Sequence, residues 1–181
     1  MSYTYISKFV ENPDAVFNRL WNELDWERHG STPRREYYSN DNGAPYTYGN
    51  PKFARTYIAK PWHSDVIAIR TALETLLDAK MDVCFINGYE DHRDHLGWHA
   101  DDSPEMDDDR PIVTVSFGAE RFIWFRENSN IDVVDKVLLE NGSACIMLPG
   151  MQDTHMHRIP KHDRECGPRI SLTFRGYVEA S

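Results

Sequence analysis

The segment His99-Ala100-Asp101, followed at a distance by His157, supplies two imidazoles and one carboxylate. That donor set holds one face of a non-haem Fe(II) and leaves the opposite positions open for a cosubstrate and O2. Arg169 and Arg175 follow twelve and eighteen residues after His157. A guanidinium fork matches a carboxylate in two parallel hydrogen bonds, so two arginines suit a dicarboxylate. Together these residues point to an oxygenase that uses Fe(II) and 2-oxoglutarate.

Spacing alone leaves the third ligand open. In an extended segment residues i and i+2 share a side, so His99 and Asp101 can reach one metal. His155 and His157 also share a side, and either can supply the distal imidazole. A zinc cluster of His92, His95 and His99 is a further arrangement among the eight histidines. The segment Arg169-Ile170-Ser171-Leu172-Thr173-Phe174-Arg175 is more selective. As a strand it turns Arg169, Ser171, Thr173 and Arg175 to one face and Ile170, Leu172 and Phe174 to the other. A doubly cationic face backed by an apolar one fits a buried anion site.

The elements that must carry these residues follow from periodicity. Asn12-Pro13-Asp14 opens a helix, with Asn12 as cap and Pro13 in the first turn. Val16, Phe17, Leu20, Trp21 and Leu24 form its apolar stripe. Gly30 to Asn50 reads as an irregular or hairpin segment, rich in Gly, Pro, Asn and Tyr. Ser64 caps a second helix whose apolar side carries Ile67, Leu73, Leu76 and Leu77. From Asp82 onward come short β-branched and aromatic runs: Asp82–Tyr89, Pro111–Phe117, Arg121–Arg126, Ile131–Leu139, Ser143–Leu148, His155–Ile159 and Arg169–Tyr177. Two helices followed by many short strands predict an antiparallel sandwich or jelly roll backed by helices.

The 181 residues make one domain, 1–181, with ample apolar material for a core. No run approaches the ~20 apolar residues that span a bilayer, and no signal peptide is visible. The three cysteines, Cys84, Cys145 and Cys166, read as free thiols of a reducing cytosol. The expected placement is cytoplasmic, or nuclear in a eukaryote, without a membrane partner and as a monomer. A net charge of −9 argues against gripping nucleic acid by bulk electrostatics. The charge is uneven, however. An acidic stretch runs through Asp101, Asp102, Glu105 and Asp107 to Asp109, while Arg34, Arg35, Lys52, Arg55 and Lys60, then Arg158, Lys161 and Arg164, form basic ones.

From Pro33 to Tyr177 the sequence resembles the AlkB-like 2-oxoglutarate/Fe(II) dioxygenases, which repair alkylated bases in nucleic acid. The resemblance rests on Pro33-Arg34, Tyr46-Thr47-Tyr48, Asn87-Gly88-Tyr89, the run Asp94 to Asp102, Pro111 to Gly118, His157-Arg158-Ile159-Pro160 and the Arg169–Arg175 strand. It implies an α+β double-stranded β-helix, a jelly roll of mainly antiparallel strands backed by N-terminal helices, with 30–60 as a nucleotide-recognition lid. It implies His99, Asp101 and His157 as iron ligands, choosing His157 over His155. It assigns Arg169, helped by Tyr89, to the distal carboxylate of 2-oxoglutarate, and Arg175, with Asn87 and Ser171 nearby, to the carboxylate at the metal. The implied reaction is oxidative demethylation of an N-alkylated base, such as 1-methyladenine or 3-methylcytosine, in DNA or RNA, with release of formaldehyde, succinate and CO2.

Such a base must be single-stranded or flipped out to reach the metal. Tyr48, Trp98, Asp102 and Arg34 are the candidate substrate contacts, with stacking on Tyr48 or Trp98. The alternative for Tyr46 and Tyr48 is an aromatic hairpin packed on the core, and for Trp98 packing behind the iron motif. Two departures stand out: Ser171 replaces the family's usual asparagine, and Ser103 replaces its usual acidic residue. The competing functions are a 2-oxoglutarate oxygenase of a protein or small molecule, and a non-catalytic jelly roll.

Overall fold

The computed structural model describes residues 2–30, 32–48 and 54–178. Twelve strands and three helices follow in chain order: β1 (Tyr3–Ile6), α1 (Pro13–Glu23), β2 (Arg35–Asn40), β3 (Tyr46–Tyr48), β4 (Arg55–Tyr57), α2 (Ser64–Leu77), β5 (Val83–Tyr89), β6 (Leu96–His99), β7 (Ile112–Gly118), β8 (Arg121–Glu127), β9 (Asn130–Leu139), β10 (Ala144–Met147), α3 (Met151–Thr154), β11 (His155–Ile159) and β12 (Arg169–Arg175). Six strands form one antiparallel sheet in the order β1-β10-β7-β12-β5-β2. Four form a second, β6-β11-β8-β9, and β3 pairs with β4. This is the jelly-roll arrangement expected from the sequence.

Alternation gives each central strand two jobs. On β12, Ile170, Leu172 and Phe174 are fully buried and join Val16, Leu20, Val66, Ile69 and Leu73 of the helices in the largest core cluster. The opposite face of β12 looks toward the second sheet. There a second cluster of Tyr89, Ile123, Phe125, Leu139, Met147 and Ile159 fills the space between the sheets. A third, aromatic cluster of Tyr38, Tyr46, Tyr57, Val83 and Met106 lies under the β3–β4 hairpin. The site described below opens between these last two clusters.

The seven strand runs expected from Asp82 onward agree with the structure to within a few residues, and β6, which carries His99, is a strand outside those runs. Other expectations are corrected. Asn12 stands at the cap position of α1 but in a left-handed conformation, φ 49°, with no side-chain cap bond. His63, not Ser64, caps α2: its Nδ1 accepts the Asp65 N–H at 3.2 Å. Ile67 and Leu76 of α2 are about half exposed, and the buried stripe is Val66, Ile69 and Leu73. Apolar residues surround much of this helix, and contact with the sheet selects the stripe. The Gly30–Asn50 segment contains a regular strand, β2, whose Glu36 to Asn40 are all buried. Lys52, one of the basic residues singled out above, lies outside the described residues. Among the described residues no helix is long and apolar enough to cross a membrane.

Gly118 closes the β7–β8 turn at φ +80°, and a Cβ there would lie 2.5 Å from the Pro168 carbonyl oxygen. Gly118→Ala combines a disfavoured backbone region with a backbone clash. It is expected to cost about 2–3 kcal/mol, read as a lowered denaturant midpoint at unchanged slope. An unchanged midpoint would show that the turn relaxes freely.

Candidate active site

Three donors converge between the sheets. His99 ends β6, His157 lies mid-strand on β11, and the two residues face each other in the antiparallel register. Asp101 follows just beyond β6, where its backbone N–H donates to Gln152 Oε1 at 2.9 Å. His99 Nε2 lies 3.6 Å from Asp101 Oδ1, and His157 Nε2 lies 3.5 Å from Asp101 Oδ2. One donor atom from each residue falls within 4.8 Å of the others. Adjacent ligands on bonds of about 2.1 Å sit roughly 3 Å apart, so small rotamer shifts bring all three onto one ion.

Register and hydrogen bonds set this arrangement. Two residues of β11 span three of β6 between the pairs His157–His99 and Ile159–Leu96, which marks a bulge. The bulge lets Leu96 and His99 both face the pocket. His99 Nδ1–H donates to the Gly97 carbonyl at 2.9 Å, which leaves Nε2 as the acceptor aimed inward. Burial, with the neighbouring His157, lowers the His99 pKa to about 3, so its imidazole is neutral and its lone pair free. Burial pushes the Asp101 carboxyl up, but Arg175 and the two histidines outweigh it and hold it well below the usual range.

An anion clamp lies beside the donors, on β12 and its neighbours. Arg169 is fully buried, and its Nη2 donates to Ser116 Oγ at 2.9 Å. Its Nε and Nη1 are buried without a partner. Its guanidinium lies 5.0 Å from the Tyr89 ring. Burial, and then the nearby Arg121, lower its pKa to about 10, so it stays charged at neutral pH. Arg175 donates from Nη2 to Asp101 Oδ1, while its Nε and Nη1 are also buried and unpartnered. An unpaired buried charge costs several kcal/mol, and the four unpartnered nitrogens of the two arginines add to that. These groups fit 2-oxoglutarate, which brings two carboxylates to one fork each.

The remaining wall links the clamp to the hairpin. Arg34 Nε donates to Asn87 Oδ1 at 2.7 Å, and its Nη2 pairs with Glu36 at 2.7 Å. Glu36 is fully buried and also accepts the Tyr57 hydroxyl at 3.1 Å. Register explains the grouping: Glu36 faces Asn87 across β2–β5, and Asn87 faces Ser171 across β5–β12. The space within and at the mouth of the pocket so formed, open solvent included, is about 640 Å³. It is lined by Arg34, Tyr48, Asn87, Tyr89, Ser171 and Arg175 as well as by His99, Asp101 and His157.

The sequence-derived residues therefore divide. His99, Asp101, His157, Asn87, Tyr89, Ser171, Arg175, Arg34 and Tyr48 line one pocket, with fully buried Arg169 on the strand that carries Ser171 and Arg175. Tyr48 is 36% exposed at its edge, whereas Tyr46 is buried, bonded to Ser103 Oγ and packed 5.6 Å from Tyr38, so the core reading holds for Tyr46. Trp98 is not in the pocket. It projects from the other side of β6, with Arg126 and Arg158 over its ring at 4.3 and 4.7 Å. Asp102 is exposed and does not line the pocket. His155 bonds Thr154 Oγ1 at 2.8 Å and, like His92 and His95, stays outside the three-donor cluster. Arg35 and Lys60 are already paired with carboxylates, Glu90 for one and Asp25 and Glu27 for the other. Reading the sequence missed Gln152, Ser116 and Glu36. Only Ser116 left a signal, as a polar residue two from Thr114 in an otherwise apolar strand.

The sequence matches the 2OG-Fe(II) oxygenase superfamily over residues 9–175. It is 31% identical over 181 residues to the mouse DNA oxidative demethylase ALKBH2, covering 90% of this chain and 74% of the relative. It is 29% identical over 185 residues to the bovine alpha-ketoglutarate-dependent dioxygenase alkB homolog 3, covering 92% of this chain and 62% of that one. The structure titled "The structure of OsALKBH1" superposes with a TM-score of 0.69 at 16% identity over 97% of both chains, a likeness of fold. A jelly roll, a His-Asp-His cluster and two buried guanidiniums agree with that membership. The chain belongs to the AlkB-like 2-oxoglutarate/Fe(II) dioxygenases and is an enzyme that uses both cofactors.

Proposed function

We propose that the protein oxidatively demethylates N-alkylated bases in nucleic acid. The observation that carries the reading is the mixed character of one pocket: a three-donor cluster with the incompletely satisfied Arg175 guanidinium beside it, Arg169 buried on the same strand, and a partly exposed tyrosine at the edge. His99, Asp101 and His157 hold Fe(II); Arg169 and Arg175, with Asn87, Tyr89 and Ser171, hold 2-oxoglutarate. When bound, iron and 2-oxoglutarate would supply, with O2 as the oxidant, the hydroxylation of an N-methyl carbon, one oxygen atom going to that carbon and the other to succinate as 2-oxoglutarate loses CO2. The hydroxylated methyl group then leaves as formaldehyde and restores the base.

The residues of the chain bind and orient. Gly97 fixes the His99 tautomer, and Gln152 fixes the Asp101 backbone. Ser171 is shorter than asparagine, but it lies between Asn87 and Ser116 in the register, so polar neighbours remain on either side. Arg34 is held by Asn87 and Glu36 and presents a fixed cation to the wall of the pocket. Tyr48 offers its ring to a single-stranded or flipped base. A cationic base such as 1-methyladenine or 3-methylcytosine gains from that electron-rich face. With Ser103 tied to Tyr46, the usual acidic contact to the base is missing, and Arg34–Glu36 is the polar pair left in the wall. The β3–β4 hairpin belongs to a lid over residues 30–60, and the enzyme acts as a monomer. The alternative of a protein or small-molecule substrate is less favoured because the relatives named for a substrate act on DNA.

Three outcomes test this reading. His157→Ala is expected to abolish succinate release, while His155→Ala stays within about twofold of wild type. The reverse pattern would exchange the ligand assignment.

Arg169→Met replaces an unpaired buried cation with an apolar side chain of similar length. It is expected to remove the 2-oxoglutarate dependence of turnover together with turnover itself, yet to stabilise the cofactor-free protein by on the order of 1–2 kcal/mol. Thermal unfolding with and without 2-oxoglutarate reads both effects. A destabilised variant that still gains stability from 2-oxoglutarate would remove Arg169 from the site.

Tyr48→Ala is expected to weaken the use of a methylated oligonucleotide by about 1–3 kcal/mol, roughly ten- to a hundredfold. Substrate-independent 2-oxoglutarate decarboxylation should stay nearly intact. Joint collapse of both activities with early melting would return Tyr48 to the core.

A further inference from the structure

The outer face of the four-stranded sheet carries an arrangement that the base pocket does not use. Trp98 on β6, Arg158 on β11, Trp124 on β8 and Lys136 on β9 form a row across all four strands, with Arg158 opposite Trp124 and Trp124 opposite Lys136. Arg126 stands two residues along β8. Each cation lies over a ring: Arg126 at 4.3 Å and Arg158 at 4.7 Å from Trp98, Arg158 at 4.2 Å and Lys136 at 4.2 Å from Trp124. The result is an alternating cation–indole ladder on the reverse side of the strands that carry His99 and His157.

Three features set the ladder apart from ordinary surface charge. No carboxylate lies within 4.0 Å of Arg126, Lys136 or Arg158 among the described residues, although the chain carries a net −9. Arg19, Arg34, Arg35, Lys60 and Arg70 all have acidic partners. Burial, and then Arg126, lower the pKa of Arg158, so like charges are held together at a cost. Finally, the Nε atoms of Arg126 and Arg158 are buried without a partner, while the terminal nitrogens of Arg158 are neither buried nor bonded to protein. The indoles cover the flat faces of the guanidiniums; Arg126 Nη2 donates to Met156 Sδ at 3.8 Å, and the terminal N–H groups of Arg158 are the ones left for an outside acceptor. A planar fork with free edges matches a phosphate.

We propose that this ladder is a phosphodiester-binding track that holds a single-stranded nucleic acid away from the base pocket. The ring faces are occupied by cations, so the track reads charge rather than bases. Arg158 and Lys136 stand two strands apart, roughly 10 Å, which suits more than one phosphate. Phe122 and Leu138, paired in the next row and 41% and 37% exposed, give the track an apolar border. The choice of a nucleic acid among polyanions rests on the function proposed above.

The test measures binding of an unmethylated single-stranded 16-mer by fluorescence anisotropy over a range of salt. The Arg126→Gln/Lys136→Gln double variant is expected to bind about tenfold more weakly at low salt. Its log–log salt slope should fall by about 1.4, which is two phosphate contacts at about 0.7 each. Lys136 is exposed, so Lys136→Gln alone keeps the fold and should lower the slope by about half as much. Turnover of a methylated trinucleotide, too short to reach the track, should equal wild type. Wild-type affinity and slope in both variants would overturn the proposal. So would trinucleotide turnover falling in step with 16-mer binding, because the ladder would then only hold His99 and His157. A change in sedimentation mass with oligonucleotide binding intact would assign the face to a second copy of the chain, and would overturn it too. Wild type failing on every methylated oligonucleotide, with 16-mer binding still ladder-dependent, would instead sink the demethylase reading alone.

Discussion

A buried guanidinium with no anion beside it governs this structure. Arg169 is enclosed by β5, β7 and β12 and meets one serine hydroxyl and one tyrosine ring. Left alone, such a charge favours water or neutralisation, and its lowered pKa records that pressure. The fold resists because the same strand buries Ile170, Leu172 and Phe174 on its other face against both helices. Reversing β12 to free Arg169 would expose that whole apolar row. Hydrophobic burial on one face thus keeps an unpaired cation on the other, at a place where a dicarboxylate can relieve it.

The same division runs through the second sheet. On β11, His157 and Ile159 face inward while Met156 and Arg158 face outward; on β6, the bulge sends Leu96 and His99 inward and Trp98 outward. Each of the two candidate iron-ligand histidines is therefore the chain neighbour of a ladder residue, Trp98 for His99 and Arg158 for His157. A bulge in β6 shifts both sets together, since it fixes the turn of His99 into the pocket and of Trp98 onto Arg126 and Arg158. Trp98 precedes His99 in sequence without sharing its surroundings.

Much of this was legible in the sequence, where local pattern decides the outcome. The β12 alternation, the His-x-Asp pair and the strand boundaries after Asp82 depend on side-chain type and period alone. What was not legible depends on partners far along the chain. Glu36 looks like a surface acid until β2 sets it opposite Asn87. Gln152 acquires its role only because α3 brings it to the Asp101 backbone. The α2 stripe was misread because apolar residues occur all around the helix, and only the sheet beneath it chooses Val66 over Ile67. Tyr46 and Tyr48 share one face, as alternation requires, and both line the pocket, but burial separates them: Tyr46 is buried and bonds Ser103, while Tyr48 stays partly exposed.

The distribution of paired and unpaired cations carries the last step. A net-acidic chain is repelled by nucleic acid at long range, and many of its surface arginines and lysines, Arg19, Arg35 and Arg70 among them, already hold carboxylates. Attraction must then come from the few places where positive charge is left uncompensated. Two such places are Arg169, buried on β12 between the sheets, and the ladder, open on the outer face. Both put guanidiniums against aromatic rings rather than acids, and for one physical reason. A ring's electron-rich face stabilises a cation without satisfying its N–H edges, so the charge stays available to an incoming anion. A carboxylate in the ring's place would hold the arginine equally well and cancel the charge that an anionic ligand needs.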